Sequence, residues 1–147
     1  MTNTSIEKNL SVGLRMGEIL KLMGRKFSQA IPDHGIDLTF EQFILLNVIN
    51  GEEEANQQQL SLIMHKDKSG ILRITDELER KKMVVRIADT ADRRKKALVL
   101  TKKGLETLNR VIEIEAEVID RLMTGVTEEK LSVFGKVLEK IQRNGTR

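Results

Sequence analysis

A mainly α-helical chain with one small β-hairpin is the fold class that this sequence predicts. Three observations carry that expectation. Apolar residues recur at helical spacing along most of the 147 residues. Two short runs, 83–88 and 96–100, carry β-branched residues without helical spacing, and they flank a charged tip. Aromatic residues make up 3% of a chain that is 39% hydrophobic, so the core must be aliphatic.

Residues 5–31 read as a long amphipathic helix. Ile6, Leu10 and Leu14 step by four, as do Met23, Phe27 and Ile31, with Leu20 between the two runs. Gly13, Gly17 and Gly24 weaken it by about 1 kcal/mol each relative to Ala, so packing must hold it. Pro32 and Gly35 are expected to end it. Thr39, followed three residues later by Gln42, forms a capping box that opens a second helix to about Asn50, with Gly51 as its stop. That helix, FEQFILLNVIN, is apolar on most faces and should be buried. Glu52 to Glu54 make an acidic loop, and Asn56 caps a brief helix, QQQLSLIMH. Asp67 caps the next, about 68–82, whose inward face is Ile71, Ile74, Thr75 and Leu78.

The segments MVVRIA and KALVL are predicted strands, and DTADRRK between them is a loop longer than a two-residue turn. Thr101 caps a long helix over 102–124, with Leu105, Leu108, Ile112, Ile119 and Leu122 as its apolar stripe and Gly125 as its stop. Thr127, with Glu128 and Glu129 in the first turn, opens a last helix whose inner face is Leu131, Phe134, Leu138 and Ile141. The expected organisation is one intertwined unit. Residues 1–35 form an N-terminal dimerisation helix, 36–101 a central region, and 102–147 C-terminal dimerisation helices. The terminal stripes are longer than the middle region can cover, so a two-fold homodimer burying more than about 2,000 Å² is expected.

Several function classes fall away. No run of 18 or more apolar residues suggests a membrane span, and MTNTSIEKNL has no apolar signal core, so a cytoplasmic protein is expected. Zero cysteines leave no disulfide and no thiolate sensor. His34 and His65 are the only histidines, so neither a metal site nor a cofactor is expected. No phosphate-binding glycine loop and no Ser-His-Asp set is present, which argues against an enzyme. Glu113 and Glu117 share a solvated helix face. Met16, Met23, Met64, Met83 and Met123 read as core filler, with a ligand-pocket lining as the alternative.

Charge is unevenly placed. Residues 56–104 hold 13 Lys and Arg against 6 Asp and Glu, inside a chain whose net charge is only +3. A basic middle in an acidic frame suits a nucleic-acid-binding segment. The element order is a short helix, a tight turn, a second helix and a hairpin. In a helix-turn-helix the second helix enters the major groove with its N-terminal residues at the base edges. Lys68, Ser69, Gly70 and Arg73 occupy those turns. Arg73 and Lys68 can reach phosphate or guanine, Ser69 can donate or accept, and Gly70 permits close backbone approach. Arg93, Arg94, Lys95 and Lys96 stand in a row at the hairpin tip, where cations suit a narrow minor groove. Any single Lys here is solvated surface; the ordered set points to double-stranded DNA.

The segment LSLIMHKDKSGILRITDELERKKMVVR, followed by DRRKKALVLT, resembles the helix-turn-helix and wing of the MarR (multiple antibiotic resistance regulator) family. Asp92, Arg94, Leu98, Leu100 and Thr101 match the wing signature, and residues 36–104 look like the family core. The resemblance implies a winged helix-turn-helix between long dimerisation helices. It implies a homodimer on a pseudo-palindromic operator, with Arg94 in the minor groove, Asp92 supporting the wing, and a small-molecule effector in many members. His65 and Lys82 depart from the family, which often carries Gly there, as a left-handed backbone would favour. Leu72 is apolar at a position expected to face DNA. A winged-helix protein-interaction module without DNA contact is the alternative, and a DNA-binding protein without an effector is a third reading.

Overall fold

The computed structural model describes the backbone of residues 3–52, 57–88 and 96–146 and, within these, the side chains of all but 3–10 and 96. Among the described residues six helices and one hairpin follow in order. They are α1 (Asn3–Asp33), α2 (Phe40–Gly51), α3 (Gln57–Ile63), α4 (Lys68–Arg80), β1 (Val84–Ala88), β2 (Lys96–Leu100), α5 (Lys102–Leu122) and α6 (Glu128–Gly145). The strands pair antiparallel from Val84 opposite Leu100 to Ala88 opposite Lys96.

The starts of α2, α4, α5 and α6 fall where the sequence places them, because each has a side chain ready for its free amides, while Asn56, the expected cap of α3, lies outside the described residues. Thr39 accepts from the Gln42 amide while the Gln42 side chain accepts from the Thr39 amide, a complete capping box. Asp67, Thr101 and Thr127 cap α4, α5 and α6 in the same way. Helix ends are equally local. α1 runs one residue past Pro32 and closes with Gly35 at φ +70°, the Ile36 amide donating back to the Ile31 carbonyl. Pro32 therefore sits in the last turn rather than beyond it.

The two departures from glycine have the geometry that their positions require. Among the described residues, His65 and Lys82 are the non-glycine residues with positive φ, at 49° and 60°. Lys66 N–H bonds the Ser61 carbonyl after α3, and Met83 N–H bonds the Leu78 carbonyl after α4. Both turns are Schellman closures made without glycine.

The core lies where the second half of α1, α2, α4, the hairpin and α5 meet. Ile31, Leu45, Leu46, Leu60, Ile71, Leu78, Leu108 and Val111 are fully buried. Phe27, Phe40 and Phe43 form its one aromatic cluster among the described residues, with ring centroids 5.1 to 6.4 Å apart. All four inward residues expected of α4 are buried, whereas α2, expected to be buried on most faces, buries Gln42, Phe43, Leu45, Leu46 and Ile49 and leaves Phe40, Asn47, Asn50 and Gly51 exposed.

Three apolar stripes sit differently from their sequence reading. On α5 the buried residues are Gly104, Leu108, Val111, Ile114 and Val118, whereas Leu105 and Ile112 are exposed. The helix carries two stripes about 100° apart, one inward and one, at seven-residue steps through 105, 112 and 119, outward. α6 buries none of its residues in the subunit: Leu131, Phe134, Leu138 and Ile141, expected as an inner face, are all exposed. In α1, Phe27 and Ile31 are buried but Leu14 and Leu20 are exposed. Of the five methionines expected as core filler, Met83 is buried and the others are half-buried.

Candidate nucleic-acid interface

α3 and α4 form a helix-turn-helix whose turn is fixed from within. The Ser61 hydroxyl donates to the Lys66 carbonyl, and Lys66 pairs with Glu41 of α2 at 2.6 Å. Gln57 reaches from the start of α3 to the Lys68 carbonyl at 3.4 Å. With Ile71, Ile74, Thr75 and Leu78 turned inward, α4 presents Lys68, Ser69, Leu72, Arg73, Asp76 and Arg80 to solvent. A shallow groove runs along this face between Ser69, Leu72, Arg73, Asp76, Glu77 and Arg80. Two cations, Arg73 and Arg80, lie on it, with Leu72 as an apolar step of the kind that packs against a thymine methyl.

The first turn of α4 is pre-ordered around Asp67. Its carboxylate accepts from the Gly70 amide at 2.9 Å and the Ser69 hydroxyl at 2.8 Å. These two bonds, the hydroxyl's first, hold the carboxyl below the usual aspartate range. Ser69 thus spends its proton within the protein and offers outward only its acceptor lone pairs. A Cβ on Gly70 would stand 2.8 Å from the Asp67 carboxylate, so glycine belongs to the cap as well as to the surface.

Two ionic networks lock this helix to the rest of the fold. Arg86 on β1 bonds Asp76 at 2.6 Å and also pairs with Glu79, clamping the hairpin to the flank of α4. This neutralises two carboxylates that would repel phosphate from α4. On the other flank Gln42, 2% exposed, makes bonds through both atoms of its side-chain amide. Its oxygen accepts from Thr39 and from the Lys81 ammonium at 3.0 Å, and its nitrogen donates to Glu77 at 2.7 Å. Lys81 also donates to the carbonyl and carboxylate of Asp37 at 2.9 and 3.0 Å. Glu77 stands 4.0 Å from Arg73, whose side chain is 68% exposed. Sequence reasoning missed Arg86, Glu77 and Lys81. The only signals were carboxylates three apart on α4 and an arginine on a strand otherwise apolar.

The hairpin is seated by a close approach. The Thr101 amide donates to the Met83 carbonyl at 3.0 Å, and its hydroxyl donates to the Lys82 carbonyl at 2.7 Å while capping the Gly104 amide at 3.0 Å. Gly104 lies so near Met83 that a Cβ there would be 2.0 Å from its carbonyl oxygen. Of the cations expected at the tip, Lys96 begins β2, its side chain outside the described residues. Asp92, Arg93, Arg94 and Lys95 lie outside the described residues altogether. Among the described residues no cluster of His, Asp and Glu could hold a metal, and no helix is long and apolar enough to cross a membrane.

Known proteins share this arrangement. The MarR family profile matches residues 36–95, from the end of the α1 turn into the hairpin tip. The HTH-type transcriptional regulator MhqR of Bacillus subtilis is 24% identical over 138 residues, covering 94% of both chains. A MarR family protein from Bacillus stearothermophilus superposes with a TM-score of 0.81 at 22% identity, over 100% of this chain and 99% of its own. A mutant MarR from E. coli complexed with operator DNA superposes with a TM-score of 0.76 at 18% identity, over 91% and 95%. These two structural likenesses carry the fold. The profile match over residues 36–95 and the full-length relative make this chain similar to the MarR family of transcription regulators.

Proposed function

We propose that the protein is a homodimeric, sequence-specific DNA-binding repressor that a small-molecule ligand releases from its operator. The observation that carries the reading is the outward face of α4, with Lys68, Ser69, Arg73 and Arg80 exposed above a buried, doubly clamped inner face. Ser69 and Arg73 read base edges, while Lys68 and the α4 N-terminus hold a phosphate. Gly70 lets the backbone come close. Arg93, Arg94, Lys95 and Lys96 enter the flanking minor groove, with Asp92 steadying the loop.

The dimer rests on what one subunit leaves uncovered. Leu131, Val133, Phe134, Val137, Leu138 and Ile141 of α6, Leu105 and Ile112 of α5, and Val12, Leu14, Ile19 and Leu20 of α1 are all exposed. Patches of this extent mark interfaces, and the terminal segments 1–35 and 102–147 supply them. Two α4 helices then meet successive major grooves, with half-sites about 10 bp apart. A cleft of about 550 Å³ opens between the end of α1, the start of α2 and α4. Pro32, Leu38, Phe40 and Ile74 give it apolar walls, and Gln42, Arg73 and Glu77 its polar ones. A ligand there competes for Arg73, which links occupancy to base reading. Regulation of this kind needs no reaction at the site, and it suits a cytoplasmic protein.

A mobility-shift assay on the DNA surrounding its own gene tests the reading. A discrete complex that survives excess random duplex is expected. A shift abolished equally by random duplex would favour a protein-interaction module instead.

A further inference from the structure

The outward face of α4 carries an acidic residue in its middle. Leu72, Asp76 and Arg80 follow one another at four-residue steps, and all three line the groove with Ser69 and Arg73. The Asp76 side chain is 56% exposed, so its carboxylate stands among the groups that would approach a polyanion.

Its counter-charge comes from another element. Arg86 sits on the inward face of the hairpin, opposite Leu98 and two residues from Val84, both of which are buried. Val85 and Ile87, on the other face of β1, are exposed. From the inward face one guanidinium nitrogen bonds Asp76 at 2.6 Å and the other bonds Glu79, so the planar fork spans two carboxylates three residues apart. Arg86 is 27% exposed and lines no part of the groove. Glu79, about 60° round the helix from Asp76, is outside the groove as well. The fork therefore meets one carboxylate on the groove side of α4 and one on the hairpin side.

We infer that Arg86 is a positioning residue for DNA binding: it holds the charge of Asp76 off the phosphates, and so sets the affinity of α4 for duplex DNA without lying on the binding face. The inference rests on the reading that α4 faces DNA. Duplex binding gains from each cation that displaces counterions from the phosphates, and a bare carboxylate among those cations cancels one of them. Arg73 and Arg80 flank Asp76 on the groove, so without Arg86 the carboxylate offsets one of the two in each subunit. A lysine in its place is a point charge that meets one carboxylate at a time, whereas the fork neutralises Asp76 and anchors Glu79 together.

The test is a set of variants of the full-length protein, read by fluorescence anisotropy on a labelled mixed-sequence duplex over a range of sodium chloride concentrations. Arg86→Gln should lose about tenfold or more in affinity near 0.1 M salt and flatten the slope of log K against log salt by about 0.9 per subunit. Asp76→Asn added to it should bring affinity and slope back to within about threefold of the wild type. Glu79→Gln added instead changes the net charge equally but should recover much less, because Glu79 stands off the groove. Asp76→Asn alone should change affinity by less than about threefold. Arg86→Lys, which keeps a charge on the strand, repeats the comparison in a background closer to the wild-type fold and should show the same order of rescue. Arg86→Gln binding as well as the wild type would overturn the inference. So would equal rescue by the two second substitutions, since net charge alone would then set affinity. Recovery of affinity that tracks recovery of Tm across the set would also overturn it, leaving Arg86 a residue of the fold only. A wild type that binds no duplex at low salt would instead remove the reading of α4 on which the inference stands.

Discussion

Replacing Gly104 with Ala puts a Cβ 2.0 Å from the Met83 carbonyl oxygen and 2.9 Å from its carbon. An ordinary contact needs about 3.2 Å, so the start of α5 or the entry to β1 must move by more than 1 Å. Neither can move freely. That oxygen accepts from Thr101 at 3.0 Å, and the Thr101 hydroxyl is held by the Lys82 carbonyl at 2.7 Å. Overpacking costs about 1–3 kcal/mol. Losing the bond to a buried acceptor adds about 1–2 kcal/mol. Removing a helical glycine returns up to about 1 kcal/mol. The expected net loss is about 2–4 kcal/mol, a fall in Tm of about 6–12 °C. Gly51→Ala is the control, because a Cβ there meets nothing within 4 Å. Urea and thermal unfolding of the two variants beside the wild type decide it. A Gly104→Ala protein within about 0.5 kcal/mol of wild type would refute the reasoning.

Gln42→Leu keeps the volume but leaves Lys81, Glu77 and the Thr39 amide each short of a partner. A loss of about 2–4 kcal/mol in urea unfolding is expected, and a loss below about 1 kcal/mol would mean water replaces the network. Lys82→Gly relieves a left-handed residue of about 1 kcal/mol and gives back about 0.4–1 kcal/mol through the unfolded chain. It should be neutral to slightly stabilising, while Lys82→Val, β-branched at φ 60°, should destabilise; the reverse order in denaturant midpoints would contradict the assignment. The Asp67 carboxyl has a lowered folded pKa, so its contribution is present above the unfolded value of 3.8 and disappears as pH falls through the lower folded one. Asp67→Asn keeps the cap acceptor, so its Tm deficit relative to wild type should shrink as the solution is acidified below about pH 4. A deficit constant across that range would show that the charge plays no part.

Much of the fold was legible because its signals are local. Thr39 with Gln42, and Asp67, Thr101 and Thr127 by themselves, announce helix starts through groups within three residues of one another. The same locality exposed His65 and Lys82, since a helix that stops abruptly without glycine still needs a left-handed residue at its end. The second stripe of α5 was not separable, because Leu105 and Leu108 are both apolar and periodicity does not say which face a neighbour covers. α6 misled for the same reason: an amphipathic pattern specifies burial but not whether the cover comes from the same subunit. Arg86, Glu77 and Lys81 were illegible for another reason. Their partners lie on other elements or across a turn, and only the fold brings Gln42 and Asp37 within 3.0 Å of Lys81. Arg73 and Ser69 could be nominated from order and charge, but the diversion of the Ser69 proton to Asp67 required coordinates.

In the proposed complex α4 reads bases while the hairpin tip grips the backbone and minor groove. Affinity measured against salt, on an operator and on random duplex, tests it most directly for the wild type, Arg73→Ala and Arg94→Ala. The wild type should bind random duplex with a steep salt dependence. Arg94→Ala should weaken binding to both DNAs and flatten the slope of log K against log salt by about 2 for the dimer. Arg73→Ala should cost about 1–3 kcal/mol per half-site on the operator and relax preference at one base pair. No binding of wild type at low salt, or an Arg94→Ala protein indistinguishable from it across the salt range, would contradict the claim and leave the basic cluster as solvated surface.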